Sequence, residues 1–314
     1  MSGLFEQLFP GIVPFGPKAT CTLNVCPIEW SVYQYKPSIP ANASFIALFA
    51  LGGLVHAYLG LRWRTWWFSG CMVVCSINAC IGYAGRIWLH YNPFSFDAFI
   101  MQMICITTDP VYYCAAVYVT LGQTITYFSP DLSRLKPAFF YFGFLTCDII
   151  ALALQAAGGA LSTASSGESD VGVNISLVGL ALQVATIFAF SAFLVDFIVR
   201  YLRSPRGRHA AAAVGARLGV FFGFMALAML LTVARSVYRL VELREGYFGE
   251  LIKHENLFIG LEGVLVVVAF WALTLGHPGL VFKPSTKERI QGSLSSQSYP
   301  NNTIRLVEGS TKAQ

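Results

Sequence analysis

The sequence predicts an all-α polytopic membrane protein, a bundle of seven transmembrane helices with its N-terminus outside and its C-terminus in the cytosol. Of 314 residues, 55% are hydrophobic and 12% charged, about half the charged share of a soluble domain. Seven apolar runs of bilayer-crossing length recur at 41–61, 66–89, 98–127, 138–160, 173–200, 217–240 and 256–276. Backbone groups in hydrocarbon must pair within their own segment, so such runs are helices, and the short alternating segments of a membrane barrel are absent from the sequence. The chain divides into an extracellular segment 1–40, a seven-helix domain 41–280 and a disordered cytosolic tail 281–314, which is polar and rich in Ser and Asn.

The opening stretch MSGLFEQLFPGIVPFGPK has no basic start and is broken by Pro10, Pro14 and Pro17. It does not read as a cleaved signal peptide, so the first helix directs insertion. Cys21 and Cys26 follow in an outer segment where oxidising conditions permit a disulfide, and they are expected to pair. The other six cysteines fall in helices and read as small packing residues. Helix 1 carries His56, read first as a hydrogen-bonded core histidine. Helix 2 aligns Asn78, Gly82 and Arg86.

Helix 3 places Gln102, Asp109, Tyr113, Ala116, Thr120 and Gln123 at steps of seven, four, three, four and three, which predicts one polar face. Pro110 lacks an N–H, which frees a carbonyl one turn earlier and favours a kink. Asp109 beside it reads either as a substrate or proton site or as the partner of a nearby arginine. Helix 4 contains Asp148 and Gln155, seven residues apart, then Gly158 and Gly159, which allow a neighbouring helix to approach closely. Asp148 reads as part of a transport path or as a structural polar bond. At the end of helix 5, Asp196 and Arg200 read as a solvated pair.

Helix 6 carries Arg235, Arg239 and Glu242 on one face, and helix 7 offers Glu255 and Glu262. Charges inside a bilayer are costly and turn toward the bundle interior. The simplest arrangement is a shared network in which Arg235 and Arg239 face the acids Asp109, Asp148 and Glu262, acting either as a static staple or as a gate. His277, in GHPGL, reads as a helix stop.

Basic residues cluster in alternate loops: Arg62 and Arg64; Arg134 and Lys136; Arg200, Arg203, Arg206, Arg208 and Arg217. This bias sets the predicted orientation. It also accounts for the net charge of +5, whose expected partner is the anionic inner leaflet and not a nucleic acid. The Arg200–Arg217 loop is a candidate contact for a cytosolic partner, and the oligomeric state is open.

The motifs YQYKPSIPANASFIALFALGGLVH (33–56), IGYAGR (81–86), CDIIALALQAAGG (147–159), RSVYRLVELREG (235–246), Glu255 and HPG (277–279) stand in the order found in one family. On these residues the chain resembles the fungal lipid-translocating exporters, seven-helix proteins tied to aminocholesterol resistance and sphingoid long-chain-base export. Cys21 and Cys26 fit the same pattern. The chain departs from it at Ala79, where an acid is usual one turn before the GY of helix 2, at Asp109, usually apolar, at Gln123, usually Arg, and at Glu262, commonly Asp. A carboxylate shifted from helix 2 to helix 3 implies a changed geometry.

The resemblance implies a plasma-membrane transporter or translocase for an amphipathic lipid of the sphingoid-base class, with Asp109, Asp148 and Glu262 as candidates for an amine headgroup. No GxxxxGK[ST] loop is present, so coupling to ATP is not expected. The alternative is a seven-helix sensor or receptor for a lipid or small amphiphile. An enzyme is disfavoured: His56, His90, His209, His254 and His277 are scattered, and helix 7 has no lysine for a retinal Schiff base. No metal or other cofactor is expected.

Overall fold

A chain in hydrocarbon has no water to satisfy its amides, so each apolar run closes its own hydrogen bonds as a helix. A computed structural model describes residues 16, 19–128, 137–164, 170–205, 216–245 and 249–280. The proline-broken N-terminal stretch, Arg134, Lys136, Arg206, Arg208, His209 and the tail 281–314 lie outside the described residues. Seven helices follow in order: α1 (Ile39–Trp63), α2 (Trp66–Tyr91), α3 (Phe96–Phe128), α4 (Pro137–Ala164), α5 (Asp170–Arg203), α6 (Ala216–Arg244) and α7 (Glu255–Leu275). All seven are long and apolar enough to cross a membrane, and no strand occurs among the described residues.

Several helices overrun their apolar runs by a turn, and the added end residues include the exposed Arg203 and Arg244. Hence Arg235, Arg239 and Glu242 all belong to α6. Each helix packs on its sequence neighbours and α7 returns to α1, closing a ring. α3 is the most enclosed, touching α6 across the ring as well as α2 and α4. Large apolar side chains such as Leu54, Phe142, Phe188 and Leu230 stay exposed, a coat suited to acyl chains. The shared core is aromatic, with Phe49, Tyr83, Tyr113, Tyr118, Phe190 and Phe270 buried.

Two local features set up the site. α3 runs on through Pro110 as one helix. α7 includes a wide π-helical stretch at Phe258–Val264 that contains Glu262, a distortion often found at functional positions.

α4 and α5 pack through small residues. A Cβ at Gly158 would stand 2.4 Å from the Ser176 nitrogen and 2.5 Å from the Gly172 carbonyl oxygen, both backbone atoms of α5. Gly158→Ala is therefore expected to push the two helices apart and cost about 1–3 kcal/mol, read as a lower thermal midpoint of the purified protein. An unchanged midpoint would show that α4 and α5 yield freely.

Before α1, Cys21 and Cys26 are bonded to each other, and Gln34 takes a left-handed turn with φ 58°. This 19–38 segment forms a strap over one end of the bundle. Val32 and Tyr33 pack on Leu89, Ala98, Phe99 and Ile252.

At the other end, past α7, His277 is fully buried among Trp63, Phe68 and His56. Its Nδ1 accepts from the Gly279 N–H at 3.1 Å, leaving Nε2 beside the Ser69 hydroxyl at 3.3 Å. Burial holds its pKa down at about 4, against about 6.5 in an unfolded chain. Between those values the unfolded state binds more protons, so stability rises with pH there. The contribution of His277 is present above about pH 6.5 and lost as pH falls toward 4. Thermal midpoints should decline over that window, and less steeply in His277→Asn; parallel declines would sink the assignment.

Candidate functional site

Arg235, Arg239 and Glu242 stand one turn apart along α6, the spacing that stacks side chains on one helix face. That face meets Glu262 of α7. Arg235 Nη2 donates to Glu262 Oε1 at 2.5 Å, Arg239 Nη1 to Glu242 Oε2 at 2.5 Å, and Arg239 Nε lies 3.6 Å from Glu262 Oε2. Arg235 is 3% exposed and Glu262 0%. Two cations and two anions thus balance within a region from which water is excluded, where a lone charge would be costly.

Arg235 has a second task. Its Nη2 also donates to the Ile106 carbonyl at 2.7 Å. Ile106 lies four residues before Pro110, so its carbonyl is the one that proline leaves without a helical N–H. A guanidinium from α6 thereby completes the hydrogen bonding of α3 and ties the central helix to the charge cluster.

Nearer the strap, Arg86 is fully buried and forms no ion pair with a carboxylate among the described residues. Its Nη1 donates to Gln102 Oε1 at 3.2 Å and its Nη2 to Tyr35 Oη at 3.0 Å. The guanidinium centre lies 3.6 Å from the Phe258 ring centroid, so aromatic electron density supports the charge. Gln102 Nε2 in turn donates to Tyr33 Oη. Burial raises both tyrosine pKa values, which keeps the hydroxyls neutral. Ser38 N–H donates to Glu255 Oε1 at 2.5 Å and His90 Nδ1 to the Pro37 carbonyl at 2.8 Å, so the strap is bound to α2, α3 and α7. A void of about 10 Å³ bounded by Tyr33, Gln102, Arg239 and Glu242 separates strap and charge cluster.

The expectation that three acids converge on the arginines is met only at Glu262. Asp109 Oδ1 accepts from Asn78 Nδ2 at 2.7 Å, so an amide of α2 faces the acid of α3. Asp148 is 0% exposed. It accepts from Tyr118 Oη at 2.8 Å, and its other oxygen has no partner among the described residues. Neither aspartate forms an ion pair among the described residues. The reason is rotational: α4 turns Asp148 toward Tyr118 and its aromatic neighbours Phe144 and Phe190, while the cations of α6 are taken up by α7.

The predicted stripe on α3 also ends early. Gln102, Asp109, Tyr113, Ala116 and Thr120 are buried but Gln123 is exposed, because three heptads of a straight helix drift by roughly 60°. His56 lies at the other end of the bundle, where its Nε2 meets Thr274 Oγ1 at 2.8 Å. The Thr274 hydroxyl donates to the Phe270 carbonyl, so it accepts from the ring N–H. Asp196 and Arg200 pair at 3.1 Å, with both side chains more than a third exposed. Among the described residues no three His, Cys, Asp or Glu side chains group as a metal site would need.

A partly open cavity of about 340 Å³ lies between α3, α4, α5 and α6, within the size range of small-molecule sites. Phe99, Met103, Leu152 and Leu180 make its wall apolar; Gln155, Gln183, Arg235 and Arg239 supply polarity. Gln155 Nε2 donates to Gln183 Oε1 at 2.9 Å. Asp109, Asp148 and Glu262 are not in this wall; the guanidiniums stand in front of Glu262 and take its place. Gln183, Tyr118, Phe258 and the strap tyrosines were not singled out from the sequence. A glutamine inside the apolar run of α5 was the available signal for the first.

A family model described as "RTA1 like protein" matches residues 72–285. A protein of Saccharomyces cerevisiae named sphingoid long-chain base transporter RSB1 is 30% identical over 280 residues, which cover 79% of this chain and 73% of the relative. The protein of Leptosphaeria maculans named lipid-translocating exporter-like protein RTA1 is 26% identical over 294 residues, 85% of this chain and 54% of that one. Protein RTA1 of S. cerevisiae is 24% identical, with 89% and 96% covered. No solved structure matches the chain.

Proposed function

Because the chain belongs to the RTA1-like family of multi-pass membrane proteins, we propose that it moves a single-chain amphipathic lipid of the sphingoid long-chain-base class across the bilayer. The observation that carries this is the cavity between α3 and α6: apolar along most of its wall, polar at the arginines, and partly open. A lipid has to shed water from its headgroup while its tail stays in hydrocarbon, and a cavity of that make-up offers both. The name of the RSB1 relative supports the same substrate class.

In this reading Arg235, Arg239, Gln155 and Gln183 meet the headgroup. Glu262 and Glu242 hold the arginines in place, and Arg86, Glu255 and the strap close one end. Asp109, Asp148 and His56 bond the helices outside the cavity. The protein works without covalent chemistry and sits in the plasma membrane. The strap end and segment 1–40 face outward, the Arg200–Arg217 loop and tail 281–314 face the cytosol, and the domain between is the translocating unit. The basic loops support this orientation.

Full-length protein reconstituted into vesicles should speed transfer of a labelled long-chain base between leaflets relative to protein-free vesicles. Equal rates with folded protein would overturn the proposal.

A further inference from the structure

The cavity wall presents hydrogen-bond donors that the protein itself does not use. Arg235 spends Nη2 on Glu262 and Ile106, while its Nη1, which is not buried, has no hydrogen-bond partner among the described residues. Gln183 accepts from Gln155 through its carbonyl oxygen, and no protein acceptor takes its amide hydrogens among the described residues. Arg239 stands in the same wall with its charge turned toward Glu242 and Glu262. Among the described residues the wall contains no carboxylate. The four helices thus bring unspent donors and two cations to the wall of a mostly apolar cavity.

Resting on the transport reading above, we infer that the cavity recognises its lipid through oxygen acceptors, hydroxyl and above all phosphate or carboxylate oxygens, and not through a bare ammonium. An oxyanion in the cavity can take up the free Arg235 Nη1–H and Gln183 amide donors. A single ammonium brings more donors to a surface already rich in them and meets no carboxylate among the described lining residues. The first carbons of the chain then lie along Phe99, Leu152 and Leu180. A hydroxylated base binds by its hydroxyls, with its amine turned away from the guanidiniums.

The test uses purified full-length protein and three probes with the same eighteen-carbon tail: octadecyl phosphate, sphinganine and octadecylamine. Each competes with radiolabelled octadecyl phosphate. Octadecyl phosphate should bind at least about tenfold more tightly than octadecylamine, with sphinganine between them. Inorganic phosphate should not displace the label, since the apolar wall selects a lipid headgroup over the free ion. Gln155→Leu with Gln183→Leu removes both amides together and leaves the ion pairs intact. It should weaken octadecyl phosphate about tenfold and octadecylamine little.

Octadecylamine binding as tightly as octadecyl phosphate, or the leucine pair binding octadecyl phosphate like the parent, overturns the inference. If labelled base still crosses vesicles, the transport reading survives that result. No binding by any probe together with no transport overturns both.

Discussion

Glu262→Ala is expected to destabilise the protein by about 3–5 kcal/mol, the range for removing one partner of a buried ion pair. Glu262 is the anion against which both Arg235 and Arg239 are set. Without it the Arg235 guanidinium, 3% exposed, is left among the described residues with the Ile106 carbonyl as its one acceptor. Bonds inside membranes often measure weaker than this, because helices separated in lipid find other partners. Here the proline-freed carbonyl depends on the same guanidinium, which argues for the upper part of the range. The measurement is the temperature at which purified protein loses its monodisperse gel-filtration peak. Glu262→Met with Arg235→Met should recover part of the loss, since replacing both charges by apolar groups removes the unpaired cation. A single variant as heat-resistant as the parent would mean that the pair stabilises nothing.

Arg86→Lys is expected to cost about 2–4 kcal/mol and to loosen the strap. A planar guanidinium reaches Gln102, Tyr35 and the Phe258 face at once, whereas a compact ammonium on a flexible stem of shorter reach makes one such contact well. A desolvated cation–π contact is worth about 2 kcal/mol and a hydrogen bond to a charged group about 1.5–3 kcal/mol, and lysine, which keeps its charge and one contact, loses only part of that total. Tyr35 would then lose its donor, so amide exchange across 19–38 should quicken more than in α5. Uniform exchange in parent and variant would show that Arg86 does not hold the strap.

Much of the charge cluster was legible beforehand. Arg235, Arg239 and Glu242 are three charges at helical spacing in an apolar segment, and such groups turn inward toward a counter-charge. Glu262 was among the candidates for that role. Asp148 was equally acidic and equally embedded in its helix, yet it meets a tyrosine, and Asp109 meets an asparagine. Spacing gives the angle of a residue on its own helix but not the helix's rotation toward its neighbours. For the same reason the headgroup candidates read from the sequence were acids, while the cavity wall carries arginines and glutamines.

The strap shows a second reason. Tyr33 and Tyr35 look like ordinary residues before a helix, and only the left-handed turn at Gln34 and the packing on α2 and α3 carry them to Gln102 and Arg86. The π-helical turn at Phe258–Val264 is also invisible in composition.

By itself the sequence determined that seven helices form, about where each runs and which residues are too polar to face lipid, because those are properties of single segments in hydrocarbon. Tertiary structure alone decided which buried charges meet, which donor covers the carbonyl freed by Pro110, and which side chains reach the cavity. Those outcomes follow from how seven helices rotate to fill space together, and no segment contains that information alone.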